Sequence, residues 1–248
     1  MISKGELKDI YFNKLDVDFN TYPFSLPFFK QLDQLNIHPK VTYLVGENGT
    51  GKSTMLEAIA VASGFNPEGG SINFNFGTRA SHSVLHQYLR LSRGMNRRTD
   101  GYFLRSESFF NVSTEIEKLD AEPGGGSRVI DGYGGVSLHE QSHGEAFWSV
   151  FLNRFQGNGF YILDEPEAAL SPARQMAMLL LMHELISENS QFIIATHSPI
   201  LLAYPDALIY EFSNQGVQVR SYEQTELFQT YNDFFRDPSY VVNRLLNL

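Results

Sequence analysis

One stretch decides the fold of this chain, and it reads, in order, Gly46, Glu47, Asn48, Gly49, Thr50, Gly51, Lys52, Ser53 and Thr54. It fits the phosphate-binding pattern G-x-x-x-x-G-K-[ST] in full, from Gly46 to Ser53. An apolar, β-branched run precedes it at 41–45, and a run rich in helix formers follows it at 55–62. Strand, glycine loop and helix, in that order, form the context in which this pattern binds phosphate.

The loop offers several kinds of phosphate contact. Its glycines leave room for backbone N–H groups to close around phosphate oxygens, and the helix start adds the positive end of its dipole. Lys52 can reach the β- and γ-phosphates, and the Ser53 hydroxyl can ligate Mg²⁺. The alternative, a glycine turn that binds nothing, does not account for a complete pattern with both flanks correct.

Composition excludes several classes of protein. The chain has 248 residues, of which 42% are hydrophobic and 19% charged, so it can bury the core of one large domain or two small ones. Its net charge of −9 argues against a general nucleic-acid coat, because the phosphate backbone would repel it. The absence of cysteine excludes disulfides, thiolate metal sites and cysteine nucleophiles.

The sequence also predicts the location of the protein. No apolar run approaches the ~20 residues that span a bilayer, and the first residues lack the apolar region of a secretory signal. Together with a nucleotide-binding motif, this predicts a cytoplasmic protein without membrane insertion.

The order of elements predicts an α/β fold of the P-loop NTPase kind, with a mostly parallel central sheet and an N-terminal antiparallel β portion. Residues 7–12 and 15–19 read as short strands, before a turn rich in Pro and Phe at 22–29. Residues 65–135 lose clear periodicity, with helical patterns only near 80–93 and 113–119. We interpret 65–135 as an inserted, mostly helical subdomain within one domain that covers 1–248.

Strands and helices alternate in the second half of the chain. We predict a helix at 145–155, a strand at 160–163, a helix opened by Ser171 and Pro172, a strand at 191–195, a hairpin at 210–220 and one or two terminal helices. Such alternation implies a mostly parallel sheet with helices on its faces.

Two acids and a histidine follow predicted buried strands. Asp164 and Glu165 end the strand at 160–163, where the carboxyl ends of parallel strands face a ligand crevice. Asp164 is placed to hold Mg²⁺, and Glu165 to orient and polarise an attacking water. His197 follows the next strand and can donate to a γ-phosphate oxygen. The alternative for the acids, a strand-end pair that only faces solvent, does not explain the upstream glycine loop. Taken alone, His197 is better explained as the neighbour of a helix cap at Ser198 and Pro199.

A second anion site is predicted at 142–145, where Ser142, Gly144 and a helix start coincide. Since the chain already has a phosphate loop, a second such site suggests use by a neighbouring molecule. An ordinary N-cap followed by a glycine is the alternative.

Five motifs in this order resemble those of the ABC-class ATPases. They are Walker A at 46–54, the signature position at 142–145, Walker B with its catalytic glutamate at 160–165, the D-loop at 167–172 and the switch-histidine loop at 196–198. The separations, 22 residues from Ser142 to Asp164 and 33 from Asp164 to His197, agree with the family's spacing. The chain is similar to the small stand-alone predicted ATPases of the AAA_15/AAA_21 kind, which are related to DNA-repair and chromosome-maintenance ATPases.

The resemblance implies an ATP-hydrolysing homodimer that forms head to tail when it binds ATP. Residues 46–54 would bind the phosphates, Ser53 and Asp164 would hold Mg²⁺, and Glu165 would act on water. Lys52 and His197 would contact the γ-phosphate, and Ser142 and Gly144 of the other copy would close over it.

Two parts of the family pattern are altered or uncertain. His143 and Glu145 replace the usual Gly and Gln of the signature, and the acid is expected either to weaken the phosphate contact or to cap its own helix. The Q-loop glutamine has no clear match; the candidates for its position are Gln87, Gln141 and Glu107. The candidates for an adenine-stacking aromatic residue are Tyr11, Phe12 and Tyr22.

The work coupled to ATP is left open by the sequence. Residues 79–105 contain six arginines and one acid: Arg79, Arg90, Arg93, Arg97, Arg98, Arg105 and Asp100. This excess of positive charge favours a nucleic-acid contact, a solvated face or a dock for an acidic protein partner. The other functions considered are the nucleotide-binding subunit of a membrane transporter and a regulatory ATPase of a nuclease or toxin partner in defence.

Overall fold

The computed structural model describes residues 5–72, 83–95, 97–122 and 127–247. Within these ranges the strands are β1 (Leu7–Phe12), β2 (Gln34–Asn36), β3 (Val41–Gly46), β4 (Gly70–Ser71), β5 (Leu89–Arg93), β6 (Asp100–Arg105), β7 (Gly159–Asp164), β8 (Gln191–Ala195), β9 (Leu208–Ser213) and β10 (Gly216–Arg220). The α-helices described are α1 (Pro27–Gln31), α2 (Lys52–Ala62), α3 (Phe109–Ala121), α4 (His143–Arg154), α5 (Pro172–Ser187), α6 (Pro199–Leu202), α7 (Glu226–Arg236) and α8 (Pro238–Leu246).

The main sheet carries the functional motifs at one edge. Its strand order is β10-β9-β3-β8-β7-β6-β4. Strands β9, β3, β8, β7 and β6 run parallel, and β10 and β4 add antiparallel edges. The predicted α/β fold with a mostly parallel sheet is therefore confirmed. Because the parallel strands end at the same edge, the ends of β3, β7, β8 and β6 meet there.

The central strands are apolar because both of their faces are covered. Every residue of β7 and β8 is buried, which is the pattern of a parallel sheet between two helical layers. On one face, Phe147 and Phe151 of α4 pack in the same cluster as Met178 of α5. On the other face, Leu56 and Ile59 of α2 pack against the sheet. Both faces of the sheet thus hold the strand ends in fixed positions.

The N-terminal antiparallel portion is present, but its strand partners differ from the prediction. Strand β1 pairs with β2 and β5, in the order β2-β1-β5. The predicted strand at 15–19 is wrong, since this segment forms turns in which Asp16 has a φ of 57° and the Asp18 carboxylate accepts from the Asn20 N–H at 2.9 Å. The Asp side chains stabilise turns locally and so prevent a strand.

Segment 65–135 contributes strands as well as helix. The predicted helical piece at 80–93 is wrong where it is described: a 3-10 turn at Val84–Tyr88 leads directly into β5. Residues 80–82 lie outside the described residues. Strand β6 from the same segment joins the main sheet beside β7. The helical piece at 113–119 is confirmed within α3. The segment is thus less helical than expected, because three of its stretches, β4, β5 and β6, form strands of the two sheets.

The predicted elements of the second half are confirmed. Helix α4 begins two residues before the predicted 145–155 and ends one residue earlier, and β8 has the predicted bounds. Ser171 is the N-cap of α5, with Pro172 at its first position. Strands β9 and β10 form the predicted hairpin. In the described part of the chain, no helix is both long and apolar enough to span a bilayer.

Candidate functional site

The phosphate loop has a backbone that only glycine fits at its ends. Gly46 has a φ of 132° and Gly51 a φ of 95°, in the region that favours glycine. A Cβ on Gly46 would collide with the carbonyl oxygen of Phe212, and one on Gly51 would lie 2.6 Å from the Phe28 ring. The loop is therefore held tightly between β9 and α1, and α2 begins immediately after it at Lys52.

Lys52 lies folded over its own loop. Its Nζ donates to the carbonyl oxygens of Gly46 at 2.7 Å and Glu47 at 2.9 Å. Burial lowers the pKa of Lys52, and the nearby Glu165 and Asp164 oppose that shift. The ammonium is thus held at the loop by two neutral carbonyl oxygens. A charged phosphate oxygen is a stronger acceptor and would take their place.

Ser53 and Asp164 join the two halves of the site. The Ser53 hydroxyl, in the first turn of α2, donates to Oδ1 of Asp164, at the end of β7, at 3.0 Å. Burial raises the pKa of Asp164 to about 6, and Arg105 opposes the shift. A hydroxyl and a carboxylate are hard oxygen donors of the kind that Mg²⁺ binds together with substrate phosphates. These two residues therefore fit the predicted magnesium site.

Glu165 occupies an unusual backbone conformation for a residue with a side chain. Its φ is 49° and its ψ is 53°, in the left-handed region. Its N–H donates to Ala195 O at 2.9 Å, and its carbonyl accepts from the Ser106 hydroxyl at 2.7 Å. These bonds hold the conformation and direct the Glu165 carboxylate to within 3.8 Å of His197 Nε2.

His197 has one ring nitrogen directed into the site. Its Nε2 is buried and has no hydrogen-bond partner among the described residues. Burial lowers the pKa of His197, and the charge of Lys52 lowers it further. The imidazole is therefore neutral at physiological pH and can donate or accept one hydrogen bond at that position.

A second carboxylate, Glu167, fixes the histidine loop. It accepts from the Thr196 hydroxyl at 2.8 Å and from the His197 N–H at 2.5 Å. Gln175 of α5 reinforces this link, since it bonds both the Ser198 hydroxyl and the Leu170 carbonyl. Sequence reasoning saw Glu167 only as part of the D-loop. The signal that could have identified it is an acid two residues after Glu165, in the turn that faces the end of β8.

We expect Glu167→Ala to lower the free energy of unfolding by about 1–3 kcal/mol, because two buried donors lose their acceptor. Glu167→Gln keeps an accepting oxygen, so we expect it to lose less. Chemical denaturation measures both, with Glu184→Ala on the exposed part of α5 as the control. Equal free energies of unfolding for Glu167→Ala and the control would show that Glu167 does not hold the histidine loop in place.

The helix start at 142–145 is capped by its own acid. The Ser142 hydroxyl accepts from the Glu145 N–H, and the Glu145 carboxylate bonds the Ser142 N–H at 3.1 Å, which makes a capping box. A Cβ on Gly144 would lie 2.7 Å from the Ala169 carbonyl oxygen. Ser142 is exposed. Gly144 therefore packs against the turn after Glu165, while Ser142, at the start of the same helix, is accessible.

Of the aromatic candidates, Tyr22 lies at the loop. Its hydroxyl is 2.9 Å from Thr54 Oγ1, and the residue is 64% exposed. Tyr22 lines a cavity of about 290 Å³ together with Asn48, Lys52 and Glu165. Phe12 is buried against Phe29, and Tyr11 lies elsewhere, beside Arg90 on β5.

The arginine-rich segment does not form one basic surface in its described part. The Arg98 guanidinium packs over the Phe65 ring and bonds the Ser63 carbonyl. Arg93 pairs with Glu6, and Arg105 with Glu57. Arg79 lies outside the described residues. A nucleic-acid contact stays a prediction that rests on the exposed Arg90 and Arg97.

Among the described residues, none of the three candidates for the Q-loop position forms a hydrogen bond with Ser53 or Asp164. The Glu107 side chain is 86% exposed and 3.4 Å from Arg105. Gln87 is exposed on the 3-10 turn before β5, and Gln141 donates to the Val136 carbonyl. The residue at the end of β6 that faces Asp164 is Arg105, which sequence reasoning counted only as part of the basic segment.

Models of two ATPase domain families match separate segments of the chain, one in each half. The AAA domain family AAA_23 matches residues 12–124, and the AAA ATPase domain family AAA_15 matches residues 146–202. The tungstate uptake system ATP-binding protein TupC of Campylobacter jejuni is 25% identical over 224 residues, which are 81% of this chain. The match spans 66% of TupC.

Solved structures with a similar chain course include SMC heads and ABC cassettes. The SMC head domain from Thermotoga maritima has 17% identity and a TM-score of 0.43, over 87% of this chain and 98% of that one. The dimeric ABC transporter cassette MJ0796 has 16% identity and a TM-score of 0.47, over 77% and 90%. CbiO1 from Clostridium perfringens has 17% identity and a TM-score of 0.47, over 98% and 100%.

The family matches agree with the motifs and with the site geometry. The AAA_15 match includes the strand that ends in Asp164 and the loop with His197, and the AAA_23 match includes the glycine loop. At the sheet edge these parts meet through the Ser53–Asp164 bond. The chain is therefore similar to AAA-type ATPase domains over residues 12–124 and 146–202, and these two segments bring the motifs of a P-loop ATPase together at one sheet edge.

Proposed function

We propose that the chain hydrolyses Mg²⁺-ATP as a head-to-tail homodimer, in which each ATP lies between the loop at 46–54 of one copy and the helix start at 142–145 of the other. The observation that carries this proposal is the accessible Ser142 at the N-terminus of a helix whose Gly144 packs against the turn that follows Glu165. Such a terminus offers N–H groups and a positive dipole end to an anion.

Each residue of the site has a role in this proposal. Lys52 and the backbone N–H groups of 46–54 bind the phosphates, with Tyr22 beside the loop. Ser53 and Asp164 would hold Mg²⁺, which when bound neutralises phosphate charge. Glu165 orients and polarises the attacking water, and its distance of 3.8 Å from His197 Nε2 leaves the pair free to contact water and γ-phosphate together.

Closure by the second copy supplies what one copy lacks. Ser142 and Gly144 of the partner copy would contact the γ-phosphate from the side opposite Lys52. Glu145 caps the same helix start, so its carboxylate must give way or share the Ser142 hydroxyl when the phosphate approaches. This links dimer formation to ATP, because without the phosphate the Ser142 N–H and hydroxyl are bonded by Glu145 of the same chain.

We expect Ser142→Arg to bind ATP like wild type while losing most of its turnover, because the bulky side chain blocks the approach of the second copy. Binding by titration calorimetry and phosphate release are the two measurements. Ser187→Arg, an exposed serine at the far end of α5, is the matched control. Turnover of Ser142→Arg equal to that of the control would contradict the composite site.

A transporter subunit is the second candidate, and the similarity to the TupC ATP-binding protein favours it. The altered signature and the absence of a glutamine at the end of β6 weigh against it. Roles in nucleic-acid maintenance or defence, with a nuclease or toxin partner, stay predictions. Purification of tagged Glu165→Gln with ATP discriminates these: an integral membrane protein, a nuclease or nucleic acid would be recovered with it.

A further inference from the structure

Arg105 is a cation built into the metal end of the site. It ends β6, and its register partner on the parallel neighbour β7 is Asp164. The Arg105 side chain is only 16% exposed, and its guanidinium lies among three carboxylates: 2.7 Å from Glu57, 3.4 Å from Glu107 and 4.0 Å from Asp164. An arginine therefore stands beside the carboxylate that would hold Mg²⁺.

The bonds of Arg105 are divided between a firm side and a loose side. On the firm side, Nη1 donates to Glu57 Oε2 at 2.7 Å and to the Pro67 carbonyl at 3.2 Å. On the loose side, Nε is buried without a hydrogen-bond partner among the described residues, and Asp164 Oδ2 lies 4.0 Å from it. That separation is too long for a hydrogen bond but within the range of an ion pair.

Asp164 shows the complementary division. Its Oδ1 accepts from Ser53 at 3.0 Å, while Oδ2 faces Arg105. Glu57 lies one helical turn after Ser53 on α2 and pairs with Arg105. Contacts therefore run without a break from Ser53 through Asp164 and Arg105 to Glu57. A group bound between Ser53 and Asp164 would meet the Arg105 charge directly.

We propose that Arg105 is a positioning residue that acts as an internal counter-ion: it neutralises Asp164 in the chain without nucleotide and competes with the divalent cation for that carboxylate. When the cation is bound to Asp164, the guanidinium keeps its bond to Glu57 and leaves the Asp164 carboxylate to the cation. This inference rests on the proposed magnesium site at Ser53 and Asp164.

The proposal predicts two effects of opposite sign for Arg105→Gln. Without its competitor, Mg²⁺ should half-saturate the nucleotide-bound protein at a concentration lower by about tenfold. In EDTA, a non-hydrolysable ATP analogue should bind more weakly, because the Asp164 charge then repels the triphosphate unopposed. A purely structural role for Arg105 would weaken both interactions together.

Two further variants sharpen the test. Arg105→Lys keeps the charge and should stay close to wild type in both measurements. Glu57→Gln removes the firm partner of Arg105, so the guanidinium should hold Asp164 more strongly and raise the Mg²⁺ concentration needed. Arg154→Gln is the matched control, since Arg154 pairs at 2.7 Å with Asp100 at the opposite end of β6.

The experiment is a calorimetric titration of the analogue in EDTA and across a Mg²⁺ series, with each variant's fold checked by circular dichroism. The expected result is tighter Mg²⁺ and weaker metal-free binding for Arg105→Gln, with the reverse Mg²⁺ shift for Glu57→Gln. If wild type binds the analogue without any Mg²⁺ dependence, the proposed function fails. If wild type depends on Mg²⁺ but Arg105→Gln and Glu57→Gln behave like Arg154→Gln, the role of Arg105 is overturned. If Arg105→Gln does not fold, Glu57→Gln decides by the same criterion.

Discussion

Glu165→Gln is expected to bind ATP normally and to lose turnover by about 10²–10⁴-fold, the usual contribution of a positioned general base. The amide has the shape of the carboxylate but cannot accept a proton from the attacking water. The left-handed backbone of Glu165 is held by main-chain and Ser106 bonds, which the substitution leaves in place. Fold and nucleotide binding should therefore be unchanged.

Phosphate release and calorimetric ATP binding measure the two parts of this prediction. Glu184→Gln, the same change at an exposed position of α5, is the control. A Glu165→Gln protein that hydrolyses ATP as fast as the control would exclude Glu165 as the residue that acts on water. Loss of ATP binding together with turnover would instead point to a distorted loop.

Lys52→Ala is expected to weaken ATP binding by about 10- to 100-fold, since hydrogen bonds to charged groups contribute about 1.5–3 kcal/mol. In the structure Lys52 Nζ donates to two neutral loop carbonyls, and a charged phosphate oxygen would be a stronger acceptor for the same amine. The cost of burying the charged amine, which also lowers the pKa of Lys52, offsets much of what these two hydrogen bonds contribute, so we expect its removal to change the free energy of unfolding little.

Titration with ATP tests the loss of affinity, and thermal unfolding tests the unchanged stability. Lys118→Ala on the exposed face of α3 is the matched control. Wild-type affinity in Lys52→Ala would mean that the loop does not hold the triphosphate in the proposed orientation.

Local patterns predicted the parts of the site that depend on a few consecutive residues. The glycine loop could be predicted because Gly46 and Gly51 have backbones that other residues cannot adopt. Asp164 and Glu165 could be placed at the sheet edge because they end a continuous apolar run, which is a buried parallel strand. The N-cap of α5 could be predicted from Ser171 followed by Pro172.

The remaining parts depend on pairing between distant segments. Arg105 reaches Asp164 only because β6 lies beside β7, and no local pattern in 65–135 indicates that neighbour. Strand β5 is likewise defined by its partner β1, which explains why it read as helix. Glu167 clamps the histidine loop because its turn faces the end of β8, a contact between elements that periodicity does not reveal.

Closure of two copies over ATP is tested most directly by the mass of Glu165→Gln in solution, measured by light scattering with and without Mg²⁺-ATP. We expect 28.1 kDa without nucleotide and twice that mass with it. We also expect that adding Ser142→Arg to Glu165→Gln returns the ATP-bound protein to the monomer mass. A monomer in both conditions, or an ATP-bound dimer that Ser142→Arg leaves intact, would contradict the proposed dimer.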